Sequence, residues 1–305
     1  MKLGLQLQDY GYKFEKDQRL GVYLTNTLEQ AAKKSQELLF DWISEEANAA
    51  SDIKKKKPIM VVLGNPPYAG NSSNKGKWIT DLVKGYDHIT EKKTSNYFEC
   101  DGKPLGEKNP KWLNDDYVKF IRFAQWRIEQ TEHGVMSFIT NHGFLDNPTF
   151  RGMRQSLMKD FDEIYLLDLH GNSKKKEKCP DGSKDENVFD IQQGVSICFF
   201  IRKPGKHQRN AKVFRADLFG LRDFKYKWLE ENDISSVKWK PVEATSPFYL
   251  FSANQNKKLQ NSFNQYPKMT EIFPVNILGF QTHRDRKSTR LNSSHTDISR
   301  MPSSA

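Results

Sequence analysis

The chain has 305 residues and a formal net charge of +10, with 36% hydrophobic, 12% aromatic and 28% charged residues. That is long enough for one large domain or two, too apolar for a disordered chain, and positive enough to favour a polyanionic partner. No apolar run approaches the roughly 20 residues that span a bilayer and no signal-peptide pattern opens the chain, so the expected setting is the cytoplasm, away from membranes.

In chain order, Leu3 to Tyr12 reads as the end of a helix and a turn. Gly21 to Leu24 is a short β-prone run, and Thr27 with Gln30 reads as a capping box opening a helix over Glu29 to Ala50, with Ala31, Leu38, Leu39, Trp42 and Ile43 as its apolar positions. The lysines at 54 to 57 read as a solvated loop before Ile59 to Leu63, a continuous apolar run of the kind buried on both faces of a sheet. Ala69 to Pro110 shows little periodicity and is long for a structureless loop in a compact domain, which suggests function. A helix follows from Leu113 to Glu132, with Tyr117, Ile121, Ala124 and Ile128 on one stripe and Asn114 as its cap. Val135 to Ile139 is a strand, Phe150 to Phe161 a helix, Ile164 to Leu169 and Val195 to Ile201 strands, and Lys212 to Phe214 an added edge.

Strands alternating with helices predict an α/β fold with a mostly parallel sheet, whose ligand sites lie at the carboxyl ends of the strands. Residues 1–203 are taken as the catalytic domain and 204–284, where the alternation fades and Trp, Tyr, Phe and Lys become denser, as the start of a second module. Residues 285–305 lack any apolar period, and DRKSTRLNSSH and SRMPSSA resemble the translated constant parts of a sequencing-library adapter; this tail is read as non-native. Without its four basic and two acidic side chains the net charge falls from +10 to +8 and stays basic. Cys100, Cys179 and Cys198 show neither paired spacing nor histidines at ligand distance, so no disulfide framework and no metal site is expected.

The stretch VLGNPPY, Val62 to Tyr68, ends an apolar run on a polar residue, two prolines and an aromatic ring. A proline fixes its own φ, lacks an N–H and pushes its predecessor into extended geometry, so Asn65 and Pro66 are both stiffened by the proline that follows. The Asn65 side-chain oxygen and the Pro66 carbonyl form a preorganised pair of acceptors for the two hydrogens of one amino group, and Tyr68 offers a face on which a flat ring stacks. A planar ring with an exocyclic amino group is a nucleobase, whose amino lone pair is delocalised into the ring. Fixed acceptors draw that nitrogen toward tetrahedral geometry without a strong general base. A base stacked on an aromatic ring gains about 1 to 3 kcal/mol, comparable to the cost of unstacking it from a duplex. The bare tetrapeptide also fits an ordinary strand-ending turn.

Asn65-Pro66-Pro67-Tyr68 resembles the catalytic motif of amino-methyltransferases that use S-adenosylmethionine, a group that includes glutamine methyltransferases acting on release factors and some rRNA guanine methyltransferases. The stretches NPKWLNDDYVKFIRFAQWRI, GVMSFITNHGFLDNPTFRGMRQSL, IYLLDLHGNSKKKE, DENVFDIQQGVSICFFIRK and ADLFGLRDFKYKWL are similar to the N6-adenine DNA methyltransferase region of type ISP and type IIG restriction-modification enzymes. The resemblance runs from about Lys2 to Arg284 and implies a Rossmann-like methyltransferase fold, S-adenosylmethionine as cofactor and double-stranded DNA as partner, in a parent that carries nuclease and helicase parts in some members. It implies that Asn65 and Pro66 bind the target amino group within the catalytic run Asn65, Pro66, Pro67 and Tyr68. Tyr68 and Phe189 would contact a flipped adenine, and Asn26 would lie near the adenine of the cofactor. Phe189 also reads as a core residue before the strand at Val195, and Asn26 as a turn residue. The family's glycine-rich cofactor loop and its ribose-binding acid are absent from the sequence, so the fold is expected to be N-terminally incomplete and the chain alone inactive. Two other readings stay open: a methyltransferase for a protein glutamine or an RNA base, and a non-catalytic DNA-binding module.

Overall fold

The computed structural model describes residues 2–14, 21–23, 25–30, 48–54, 57–68, 72–107, 110–205, 210–252, 262, 265–267 and 269–273. The expected helix positions Ala31, Leu38, Leu39, Trp42 and Ile43 and the tail 285–305 lie outside these residues. No helix among them is long and apolar enough to cross a membrane. Met1–Asn254 forms one compact unit and Gln255–Ala305 a second.

Helix α1 (Lys2–Asp9) ends, as expected, in a turn whose Gly11 has φ +87°. The capping box does not form: Thr27 and Leu28 are a turn followed by a bend at Glu29, and the residue that organises it is Asn26, whose side-chain oxygen accepts from Leu28 N at 3.1 Å. An Asx oxygen reaches an amide two residues on more readily than a threonine hydroxyl does.

Strand β1 (Val61–Gly64) leads into the double proline. The stretch expected to be a loop instead contains α2 (Lys77–Val83) and two short hairpins, β2 (Lys84–Asp87) with β3 (Lys92–Asn96) and β4 (Glu99–Cys100) with β5 (Lys103–Pro104). Trp78, Ile79 and Leu82 on α2 are buried with Trp126, enough apolar surface to anchor a segment whose period is too short to read in sequence. Helix α3 (Asp116–Thr131) buries the expected stripe Tyr117, Ile121, Ala124 and Ile128. Its cap is Asp115, whose carboxylate accepts from Asp116 N at 2.7 Å, while Asn114 belongs to a preceding 3-10 turn. Then follow β6 (Gly134–Asn141), α4 (Arg151–Asp160), β7 (Glu163–His170), β8 (Val195–Arg202), β9 (Lys212–Asp217), α5 (Arg222–Glu231) and β10 (Lys240–Val242).

The six strands β1, β6, β8, β7, β9 and β10 lie in that order in one sheet. β1 is parallel to β6 and β7 to β9, whereas β8 is inserted antiparallel between β6 and β7, and β10 is antiparallel to β9. Thus β1, β6, β7 and β9 point one way, giving an α/β fold whose main strand direction is shared. The residues after Pro204, expected to open a second module, supply β9 and β10 to this sheet; β9 is an inner strand rather than an edge.

Strand alternation divides the core between the two faces. Met136, Phe138, Ile164, Leu166, Cys198, Phe200 and Val213 meet α3 and α4 on one face. Leu167, Leu169, Val195, Ile197 and Ala216 form the other, together with Tyr68, Phe189 and Trp228 of α5. Each fully buried aliphatic side chain contributes about 1.5 to 3 kcal/mol. Strand β1 departs from the expected two-sided burial: it pairs only with β6 among the described residues, and Val61 and Leu63 are 62% and 73% exposed.

Candidate functional site

The strands that point one way end on a common edge of the sheet, and the NPPY residues lie there. Gly64 is the last residue of β1, and Phe138 fills the space a side chain would take: a Cβ at Gly64 would come 2.5 Å from the Phe138 ring. Only glycine lets that ring close under the double proline. Beyond it Asn65 is exposed, Pro66 buried, Pro67 exposed and Tyr68 half-buried. Asn65, Pro66 and Pro67 line a small cavity of about 160 Å³ with Gly64, Phe120 and Phe138.

Tyr68 turns away from that cavity onto the opposite face of the sheet. Its hydroxyl donates to the Ile139 carbonyl at 3.3 Å, and burial, with the Cys198 thiol adding to it, holds the phenol proton well above its ordinary pKa, so the group stays a neutral donor. Its ring lies 5.8 Å from that of Phe189, centre to centre, at 57°. Phe189 is fixed by its backbone. Its N–H donates to Asn187 Oδ1 at 2.9 Å, its carbonyl accepts from Arg222 at 3.2 Å, and Asn187 in turn donates to the Gly171 carbonyl at 3.1 Å. The structure therefore brings together Tyr68 and Phe189, residues far apart in sequence.

A second cavity of about 350 Å³ adjoins the first; both are lined by Thr27, Val62, Leu63 and Phe123, and the larger also by Thr25, Lys54 and Arg127. Asn26 sits between two of its lining residues but is not itself in the lining. Its amide donates to Asn74 Oδ1 at 2.9 Å and to Glu29 at 3.2 Å. Asn74 donates to Asp116 at 3.0 Å, Ser72 donates to the same carboxylate at 2.5 Å, and Lys119 donates to Ser72 at 2.7 Å and to the Asn74 carbonyl at 2.5 Å. This chain of bonds ties the Asn26 turn to the segment that follows Tyr68. The charges are locally compensated: burial lowers the Lys119 pKa, while Asp116 and Asp115 oppose the shift.

Sequence reading missed a polar network at the same sheet edge. His142 Nδ1 lies 3.0 Å from Asp168, and His142 Nε2 lies 3.1 Å from Asn172. Asp168 also accepts from Arg215 at 2.7 Å, and Arg215 in turn donates to Asp217 at 2.8 Å. His170, in left-handed backbone at φ +52°, contacts Asp217 at 2.9 Å, faces Glu177 at 3.5 Å and stacks on Phe219 at 3.8 Å. Burial alone would raise the Asp168 pKa, but the bond from His142 and the charges of His142, His170 and Arg215 hold it at about 2. Burial likewise works against a charged His170, yet Asp217, Glu177 and Asp168 raise its pKa to about 9. Ligand atoms of His142, Asp168 and His170 lie within 4.8 Å of one another; His142 and Asp168 are engaged by each other, Asn172 and Arg215, while His170 Nδ1 is buried without a hydrogen bond, 3.5 Å from Glu177 and 3.9 Å from Asp168. The signal available in sequence was a polar pair at two strand ends, Asn141-His142 and Asp168-Leu169-His170.

Known proteins resemble this chain in sequence and fold. The family model described as Eco57I restriction-modification methylase matches residues 2–174. No curated protein matches the chain. Among solved structures, the chain is similar to DrdV in a DNA complex, at 25% identity and TM-score 0.54 over 73% of this chain and 20% of that one. It is similar to the ATP-dependent type ISP restriction-modification enzyme LlaBIII bound to DNA, at 25% identity and TM-score 0.60 over 78% of this chain and 15% of that one. It shares the fold of the type ISP enzyme LlaGI at 21% identity and TM-score 0.56, over 78% of this chain and 22% of that one. The chain thus spans between 15% and 22% of these proteins' lengths. With more than half of its residues under the family model and NPPY at the carboxyl end of β1, the chain belongs to the Eco57I restriction-modification methylase family.

Proposed function

We propose that this chain carries the methyl-acceptor site of a DNA methyltransferase that acts on the N6 amino group of adenine. The observation that supports the reading most is the meeting of Tyr68 and Phe189 at the edge where the aligned strands end, with Tyr68 two residues along the chain from Pro66. Two aromatic rings and two fixed acceptors are what an amino-bearing base needs once it has left the duplex. The Asn65 side-chain oxygen and the Pro66 carbonyl accept the two amino hydrogens. This localises the lone pair on the nitrogen and so makes it a better nucleophile. Tyr68 and Phe189 hold the ring, and the neutral Tyr68 hydroxyl, bonded to Ile139, fixes the first of them.

S-adenosylmethionine supplies the methyl in such enzymes. The cavity of about 350 Å³ suits a flat, apolar group against Val61, Leu63 and Phe123, but among the described residues its lining contains no carboxylate for a ribose or to face a sulfonium, and its charged residues, Lys54 and Arg127, are cations. The residues present fit part of that cofactor only, and we derive no step through it. We accordingly infer that the described residues do not suffice for methyl transfer.

The acceptor role is tested with oligonucleotides carrying 2-aminopurine. In the wild-type chain the unpaired fluorescent base is expected to be quenched by stacking against the Tyr68 ring. Tyr68→Ala is expected to weaken that binding by about 1 to 3 kcal/mol. In an enzyme that joins this segment to a donor-binding loop, Asn65→Ala should abolish methylation and keep DNA affinity. Unchanged methylation in that variant removes the assigned role.

A further inference from the structure

The connection from β7 to β8, residues 171–194, contains five lysines and five acids and is neutral by count. Its charges are not evenly paired. Asp185 and Lys225 form an ion pair at 2.8 Å with both side chains fully buried. Glu186 pairs with Lys184 at 2.6 Å and Asp190 with Arg222 at 2.7 Å. Glu177 turns inward, accepting from Asn172 N at 2.8 Å and facing His170 at 3.5 Å. The acid within the run Ser173–Lys178 is thereby sequestered, while Lys174, Lys175, Lys176 and Lys178 are exposed. Lys175 lies 3.5 Å from an exposed carboxylate, Asp146; the other three have no ion pair among the described residues.

This cationic turn is built rather than loose. Asn172 Oδ1 accepts from Lys175 N at 3.1 Å, and the backbone closes through Lys176 N to the Ser173 carbonyl and Glu177 N to the Asn172 carbonyl, each at 3.2 Å. At its base Gly171 has φ +79°, and a Cβ there would come 2.4 Å from the Cα of Asn187, the residue whose side chain fixes Phe189. A cavity of about 590 Å³ lies between Gly171, Ser173, Asn187 and Phe189. The ammonium groups are therefore held on the same connection that presents Phe189.

We propose that the Ser173–Lys178 turn is a clamp for the DNA backbone beside the flipped base, with Lys174, Lys176 and Lys178 as its phosphate-binding groups. The proposal rests on the base-site reading above. Lysine is a compact, strongly hydrated charge on a flexible stem, which suits sequence-independent contact to phosphate. Because the neighbouring acid is bonded inward, the approach of a phosphate meets no opposing carboxylate within the turn.

The test is the salt dependence of DNA binding by the purified 305-residue chain. Each phosphate contact removed should lower the slope of log K against log salt by about 0.9 on duplex and about 0.7 on a single strand. The triple variant K174A/K176A/K178A is therefore expected to lose about 2 to 3 units of slope on labelled duplex and about tenfold or more in affinity at low salt. Replacement of the same lysines by arginine should keep the slope, and circular dichroism should show all variants folded alike. An unchanged slope in the alanine variant overturns the clamp, as does the lack of measurable duplex binding by the wild-type chain at low salt. The two readings separate cleanly. Loss of 2-aminopurine quenching in Tyr68→Ala with no lysine-dependent slope leaves the base site standing without the clamp. A lysine-dependent slope with quenching unaffected by Tyr68→Ala leaves the clamp standing without the base site.

Discussion

At the scale of single residues, the most informative side chain outside the NPPY run is His170. Its imidazole is nearly enclosed, stacked on Phe219 and faced by Asp217, Glu177 and Asp168, with Arg215 behind the two aspartates. These carboxylates raise its pKa from 6.5 to about 9 against the opposing effect of burial. A raised folded-state pKa adds stability that is complete below the unfolded value and is lost as pH rises through the folded one. His170→Gln is therefore expected to lower the unfolding free energy most below pH about 6.5, by on the order of 3 kcal/mol, with the gap closing toward pH about 9 to 10. Urea titrations across that range decide it, and a gap that does not change with pH rejects the charged imidazole. The NPPY residues could be read directly because proline acts on its own neighbours. His170 could not, because its charge depends on partners from β7, β9 and the β7 to β8 connection, which only the strand register brings together. Phe189 falls between: its reading as a core residue is met, since it packs with the second core face, and its contact with Tyr68 is what the proposed base site is argued from.

At the scale of elements, helix α3 shows what periodicity conveys and what it leaves out. Its buried stripe follows from apolar residues three and four apart, but Asn114 and Asp115 are both good capping types, and composition does not choose between them. The choice is made by the 3-10 turn Lys111–Asn114, which takes Asn114 into itself and leaves Asp115 with extended backbone at φ −66°, ψ 150°. Asp115→Ala is expected to cost about 1 kcal/mol, within the 0.5 to 2 kcal/mol range of lost caps, and Asp115→Asn close to nothing. Thermal unfolding compares the two, and equal losses would show that the carboxylate acts by charge rather than as a cap. The helix also matters to the site, since Asp116 and Lys119 in its first turn hold the segment that links Tyr68 to the Asn26 turn. The stretch between Tyr68 and α3 was opaque for a related reason. Strands of two to five residues carry too few alternations for a pattern, and Trp78 and Tyr97 reveal their burial only through partners on α3.

At the scale of the molecule, the alternation of strands and helices was enough for the α/β class and for a shared strand direction. It was not enough for strand order. An apolar run such as Val195 to Ile201 reads the same in either direction, so the antiparallel insertion of β8 between β6 and β7 has no local signature. Nor did the change in composition after Pro204 mark a boundary in the sheet, because β9 pairs with β7 through residues no different from those of an inner strand. The inference that the described residues do not suffice for catalysis belongs to this scale. Calorimetric titration of the chain with S-adenosylmethionine is expected to show at most weak binding, and tight binding together with methyl transfer to DNA would overturn it.

The reversal of β8 has one more consequence. His170 and Asn141 both pair with Val195, so the chain leaves β7 and re-enters β8 at one edge of the sheet, and everything between is a long hairpin loop standing on that edge. A loop with both ends fixed side by side can grow, shrink or be exchanged without shifting the register of any strand. Between Gly171 and Gly194, the exposed stretch Ser173–Lys178 is therefore where a change of sequence disturbs the sheet least, whereas Asp185, Asn187 and Phe189 are tied to the body by a buried ion pair and backbone bonds.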